Sequence, residues 1–289
     1  GGMTGRLVSA SAALDGVLAD VYAGRGPVLW RGPDARWNPV ELGPGLVTVL
    51  AGAPGAGKTA LALQWTCDAL LQDTGLAAFV ASCEMTPETM LRRLLARYSG
   101  VSATALRFAA IGAADADRLE WGAATLGRFA ERLFFYEGAF SLDAILAALR
   151  DGEHGSGLLI LDYLQMLHLA EGEPAENKRL ELDSIMGQLR HIADAGAGIL
   201  AVSAVARGKS TKGNSYNALN LASFKDSGGV EYGADSCWIL HKGDDDGEGA
   251  GLDGLMVCEC VKNRHGEPVS LPVIFDRGRM MFSVLERTP

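Results

Sequence analysis

Apolar positions along the chain fall into two kinds of run. Short ones, about the length of a strand, occur at Leu46–Leu50, Ala77–Ala81, Leu133–Tyr136, Leu158–Leu161, Ile199–Val202, Cys237–Leu240, Leu255–Val261, Val269–Phe275 and Met280–Leu285. Longer amphipathic stretches separate the early runs: Lys58–Leu71, Glu88–Tyr98, Ala116–Glu131, Leu142–Arg150 and Glu176–Ala195 read as helices. Strand–helix alternation that gives way to strands alone predicts an α/β fold. Its central sheet is mainly parallel and flanked by helices, with an antiparallel extension at one edge. The acidic, glycine-rich stretch Gly243–Gly254 reads as an exposed hairpin loop. Residues 1–44 differ from the rest. A helix-like segment, Ala10–Tyr22, precedes Gly, Pro and Trp in irregular order, and four basic residues balance four acidic ones. They are expected to be an N-terminal arm carrying a linker helix, ahead of one domain over residues 45–289.

Composition narrows the class. A chain of 289 residues, 48% hydrophobic and 21% charged, can bury a large core and is not low-complexity disorder. Its apolar runs are far short of the roughly 18–20 residues that cross a bilayer, and no secretory signal opens it. The leading Gly1-Gly2-Met3 reads as an expression-tag remnant before a native Met. A net charge of −9 argues against a general polyanion coat. It leaves room for nucleic acid, because a ring can gather a few basic residues on its inner wall. Five cysteines without zinc spacing read as free buried thiols in a reducing cytoplasm, with Cys258 and Cys260 on one strand face.

Candidate chemistry begins after the first strand. Gly52-Ala53-Pro54-Gly55-Ala56-Gly57-Lys58-Thr59, followed by Ala60 in an opening helix, matches G-x-x-x-x-G-K-[ST] in strand–loop–helix context. Its glycines let backbone N–H groups turn toward phosphate oxygens, and the helix adds its positive end. Lys58 is expected on the β- and γ-phosphates of ATP and the Thr59 hydroxyl on Mg²⁺. Asp162 ends the apolar strand Leu158–Leu161, where it suits a role in orienting Mg²⁺; a helix cap is the plainer alternative. Glu84 follows the strand Ala77–Ala81. From position alone it is either the group that activates water beside the γ-phosphate or a solvated acid ahead of a helix start at Thr86-Pro87.

Five elements, in order, resemble the motor domain of replicative DnaB-type ring helicases. Besides the phosphate loop, Ser82-Cys83-Glu84-Met85-Thr86 resembles the family's S-L-E-M-S, and Asp162-Tyr163-Leu164-Gln165-Met166 its D-Y-L-Q-L. Lys225-Asp226-Ser227-Gly228-Gly229-Val230-Glu231 with Ala234-Asp235 resembles R-E-S-G-S-I-E…A-D, and Val261-Lys262-Asn263-Arg264-His265-Gly266 resembles K-x-R-N-G. Glu176-Asn177-Lys178-Arg179 opens the next helix as in that family. The resemblance implies a RecA-like P-loop ATPase acting as a hexameric ring on single-stranded DNA, with a loader or primase as partner. It makes Glu84 the catalytic carboxylate. Arg264 becomes an arginine finger that reaches the neighbouring subunit's γ-phosphate, and Lys262 accompanies it. Arg93, nine residues after Glu84, matches a family arginine, though a solvated helix face suits it equally. Arg207, Lys225, Asp226 and Gly228 match the family's DNA-binding channel loop. Consistent with that, Ala206 to Lys225 holds four basic residues and no acid.

Two departures bear on mechanism. After the strand Ile199–Val202 the family has S-Q-L-x-R, whose Gln senses the γ-phosphate; this chain has Ser203-Ala204-Val205-Ala206-Arg207. Gln165 stands near enough in the pattern to be a candidate substitute. In addition, residues 1–44 are too few for the family's helical collar. The competing reading is therefore an ATP-gated DNA-binding or scaffold ATPase of the same fold with little or no unwinding.

Overall fold

A computed structural model describes residues 7–152, 157–170, 177–204, 228–243 and 253–286. In chain order the elements are α1 (Ala10–Tyr22), β1 (Val47–Gly52), α2 (Lys58–Gln72), β2 (Ala78–Ser82), α3 (Pro87–Ser99), α4 (Ala103–Arg107), α5 (Ala113–Gly127), β3 (Leu133–Tyr136), α6 (Leu142–Asp151), β4 (Leu158–Asp162), α7 (Lys178–Asp194), β5 (Gly198–Ala204), α8 (Gly228–Gly233), β6 (Ser236–Lys242), β7 (Leu255–Asn263), β8 (Ser270–Asp276) and β9 (Met281–Val284). Among the described residues the strands form one sheet in the order β3-β2-β4-β5-β1-β6-β7-β8-β9. From β3 to β6 every pairing is parallel; β6 to β9 pair antiparallel. The expected architecture is the one observed.

Burial along the strands follows from the layers. All six residues of β1 are buried, as in a parallel strand covered on both faces, whereas β7 and β8 alternate. Side-chain alternation divides the parallel strands between two cores. Leu50, Val80, Ile160, Leu200 and Trp238 face α2 and α3, packing with Leu61, Trp65, Leu70 and Met90. Val49, Phe79, Leu159, Ile199 and Ile239 face the other way, onto Ile145 of α6 and Leu182, Ile185 and Leu189 of α7.

Several expected boundaries moved for identifiable reasons. The helix expected over Ala116–Glu131 runs Ala113–Gly127 instead, because Phe129 turns into the core and is fully buried. β7 extends two residues past Val261 and so carries Lys262. The short helices α4 and α8 have no long apolar stripe to announce them. Trp30, Trp37, Val40 and Leu42, read as part of an arm, are buried in the first core. Trp37 meets Trp65 edge-on at 5.6 Å, and Trp65 meets Trp238 at 6.2 Å. Helix α1 has its expected bounds and buries no residue; Leu14, Val17, Leu18 and Val21 form an exposed stripe at helical spacing. Four cysteines are buried free thiols, but Cys83 is exposed. Complete burial pushes the Cys67 thiol up to about 12. No described helix is long and apolar enough to cross a membrane.

One side chain ties the last strand to the first helix of the domain. Gln64 of α2 donates from Nε2 to the Phe282 carbonyl and accepts the Phe282 N–H on Oε1, both at 2.8 Å. Gln64 is buried, so Gln64→Leu leaves both main-chain groups dry and unpaired. It is expected to cost about 2–4 kcal/mol of unfolding free energy in a urea titration; no loss would show that water replaces the amide.

Candidate functional site

The phosphate-binding loop occupies the turn between β1 and α2. Gly55 and Gly57 take φ of 75° and 97°, conformations that disfavour any side chain. A Cβ on Gly57 would also lie 2.7 Å from the Phe275 ring and 2.8 Å from that of Phe282. No side chain caps α2, so its first N–H groups are free to bind an anion. These features fit a polyphosphate.

Two acids and two cations converge beside the loop. Asp162, at the end of β4, is buried, and its Oδ2 accepts from the Thr59 hydroxyl at 2.8 Å and from the Ser82 hydroxyl at 3.5 Å. Burial pushes the Asp162 carboxyl up, while the Thr59 hydrogen bond opposes the shift. Glu84 is exposed, just beyond β2. Lys58 donates to the Ala53 carbonyl at 3.1 Å. Burial lowers the Lys58 ammonium and the Arg93 guanidinium, and the charges of Asp162 and Glu84 pull both back up. Arg93 is therefore half-buried among these charges, not on a solvated helix face. The cleft that holds them has a volume of about 640 Å³. Its metal position would draw on Thr59, phosphate oxygens and water, since no group of three or more His, Cys, Asp or Glu residues gathers among the described residues.

The opposite wall comes from the β8–β9 hairpin. Phe275 stacks on Phe282 with centroids 4.1 Å apart. Arg277 lies 5.0 Å over Phe275 and donates to the Gly55 carbonyl at 3.0 Å. Met280 also lines the cleft. Sequence reading assigned these residues no role. Arg277 and Gly55 are 222 positions apart, and no local pattern links them.

At the β5 end, Ala204 lines the cleft with a methyl group. Gln165 does not enter it. Its amide accepts the Ala204 N–H at 2.9 Å and donates to the Ala204 carbonyl at 2.9 Å and the Ser203 hydroxyl at 2.8 Å.

Arg264 and Lys262 lie at the other edge of the sheet. Arg264 pairs with buried Asp235 at 2.8 Å. The same carboxylate binds Arg190 at 2.6 Å and accepts the Val47 N–H, at the start of β1, at 2.8 Å. Cys237 faces Lys262 while Trp238 faces Cys260, so Val261 is the extra residue of a β-bulge. Past that bulge Lys262 donates to the Ala234 carbonyl at 2.6 Å. Five residues of β1 separate Val47 from Gly52, about 17 Å of strand. The chain thus keeps these two basic residues away from its own cleft.

The sequence profile described as DnaB-like helicase C terminal domain matches residues 41–284. The chain belongs to this family. It is 26% identical over 251 residues to a probable plasmid replicative DNA helicase of Chlamydia psittaci, covering 85% of this chain and 53% of that protein. It is 29% identical over 205 residues to the replicative DNA helicase DnaB of Helicobacter pylori, covering 69% and 40% respectively. The chain therefore spans about half the length of the curated relatives it matches. Among solved structures, a helicase-like ATPase domain superposes with a TM-score of 0.80 at 19% identity, covering 97% of this chain and all of that one. A DnaB-like replicative helicase studied with primase gives 0.78 at 20% identity, covering 99% and 69%. These two establish the fold. Within the DnaB-like domain, Arg207, Lys225 and Asp226 lie outside the described residues. Gly228 opens α8, and the N–H of Gly229 beside it bonds Asp183 of α7 at 2.6 Å.

The Asp235 cluster makes a stability claim. Asp235→Ala leaves Arg190 and Arg264 without their shared counter-charge and the Val47 N–H without its acceptor. Breaking a buried pair from one side costs about 3–5 kcal/mol, read as a lower urea midpoint; an unchanged midpoint would mean the cluster is solvated.

Proposed function

We propose that this DnaB-like domain is the motor of an ATP-driven helicase that moves along single-stranded DNA as a homo-oligomeric ring. The observation that carries the reading is the division of charged residues between the two sheet edges. One edge presents Lys58, Thr59, Glu84, Arg93 and Asp162, and the other presents Lys262 and Arg264. Stacked head to tail, one subunit's basic edge completes the next subunit's cleft. The exposed stripe of α1 supplies an apolar face for the same neighbour.

Mg²⁺·ATP supplies the phosphoryl group that is transferred to water. Lys58 and the loop N–H groups hold its phosphates, and Thr59 with Asp162 hold the metal side. Glu84, exposed at the mouth of the cleft, takes the proton of the attacking water. Arg93 from the same chain and Arg264 from the neighbour stabilise charge on the equatorial oxygens, with Lys262 beside them. DNA is held by Arg207, Lys225, Asp226 and Gly228, in the segment that β5 feeds and α8 ends. The relative studied with primase suggests a partner of that class here.

Ala204 favours a second reading: ATP gates DNA binding without unwinding. Strand displacement on a forked substrate, together with ATP hydrolysis, separates the two.

Lys58→Ala is expected to abolish nucleotide binding. Glu84→Gln should bind ATP while slowing hydrolysis by about 10²–10⁴-fold. Arg264→Ala should also be slow, but mixing it with Glu84→Gln chains should restore turnover. At a mixed interface the Arg264→Ala cleft keeps its Glu84 and receives the neighbour's intact Arg264. Equal mixtures that stay inactive would rule out the finger acting between subunits.

A further inference from the structure

Strand β4 stops at Asp162, which pairs with Val202 of β5. Strand β5 runs two residues further. On its β1 side Ala204 still faces Gly52, but on its β4 side the ladder has ended. Gln165 fills that place. Its carboxamide presents one acceptor and one donor, as a peptide unit does, and binds both main-chain groups of Ala204. Its third contact, to the Ser203 hydroxyl, fixes the amide's orientation. The side chain therefore adds one rung to the sheet.

That rung grows from the segment bearing the metal-side carboxylate. Asp162 bonds Thr59. Gln165 lies three residues later in a 3-10 turn, Leu164–Met166, whose Leu164 is fully buried. A shift of Asp162 on exchange of the bound nucleotide is carried through this short, anchored turn to the β5 end. The methyl group of Ala204 has no polar atom with which to do so directly.

We infer that Gln165 is a positioning residue that couples the nucleotide cleft to the end of β5 through the Ala204 main chain, replacing a side-chain link at position 204. The inference rests on the motor reading above, in which β5 feeds the DNA-binding segment. Coupling between two ligands is the ratio of affinities for one with the other changed. The measurement is fluorescence anisotropy of a labelled oligodeoxythymidine bound to the full chain, with Mg²⁺ and either ADP or a non-hydrolysable ATP analogue.

The wild type is expected to show a ratio of about five or more between the two dissociation constants. Gln165→Met keeps the side chain's length and removes all three bonds, so its ratio should fall toward one while both nucleotides still bind. Gln165→Glu keeps the acceptor for the Ala204 N–H and should retain an intermediate ratio. A purely structural role would weaken DNA binding in both nucleotide states alike and leave the ratio intact. An intact ratio in Gln165→Met overturns the coupling role alone. A wild type that ignores the nucleotide, or binds no DNA, overturns the motor reading and the coupling with it.

Discussion

Parallel strands that lie side by side all finish at the same edge, and the rest of this molecule is arranged around that constraint. Strands β1, β2, β4 and β5 end together. Whatever follows each one is delivered to one place: the phosphate loop, Ser82 and Glu84, Asp162, and Ala204. The antiparallel turn at β7 reverses direction once and delivers Lys262 and Arg264 to the other edge. Asp235 then pins that edge by joining β1's first N–H, α7's Arg190 and β7's Arg264 through one carboxylate. A single sheet thereby carries two sets of charges that cannot meet within one chain. A heterologous, head-to-tail interface is the arrangement that lets them meet.

Burying charge in both places is costly, and the structure offsets it differently at each. At the Asp235 edge, geometry closes the account: two arginines and a backbone N–H use the carboxylate's lone pairs, and Arg190 has Asp194 as a second partner at 2.7 Å. Asp68 and Arg97 form a similar closed pair at 2.7 Å inside the first core. The cleft is different. Asp162 is pushed up and Lys58 and Arg93 are pushed down by burial, so each is destabilised in its charged form. Those are the groups with capacity left for a ligand. Closed pairs hold the fold and incompletely paired charges mark the site, a distinction that the kind of residue alone does not make.

The same distinction explains what could be read from the sequence. Lys58, Thr59 and the glycines were legible because they are contiguous, and Asp162 because a buried strand announces its own end. Glu84 and Arg264 were ambiguous by position, since a carboxylate before a helix and an arginine at a hairpin are ordinary surface features. The family resemblance sharpened them, and the sheet then set them at opposite edges. Arg93 was undecided because helical spacing does not say which way α3 rolls on the sheet; the packing of Met90 and Leu94 does. Phe275, Arg277 and Met280 were illegible, because a wall assembled from the far end of the chain leaves no local pattern. The break at Phe129 was missed for a related reason: its burial depends on elements far away in sequence.

Gln64 and Gln165 show how the sheet reaches past its own strands. Each presents a carboxamide to both main-chain groups of one residue, Phe282 or Ala204, at a point where the backbone needs a partner. A carboxamide suits this task because it is the side-chain group that reproduces a peptide's donor and acceptor without charge. Such a rung depends on the partner's backbone and not on its side chain. Position 204 can therefore change from glutamine to alanine while the connection from Asp162 to β5 persists, because the connecting atoms belong to residue 165 and to the main chain. What the alanine gives up is direct contact with the nucleotide. What it keeps is the mechanical link between the strand end and the carboxylate beside the metal position, and that link lets a motor reading survive the loss of a sensing side chain.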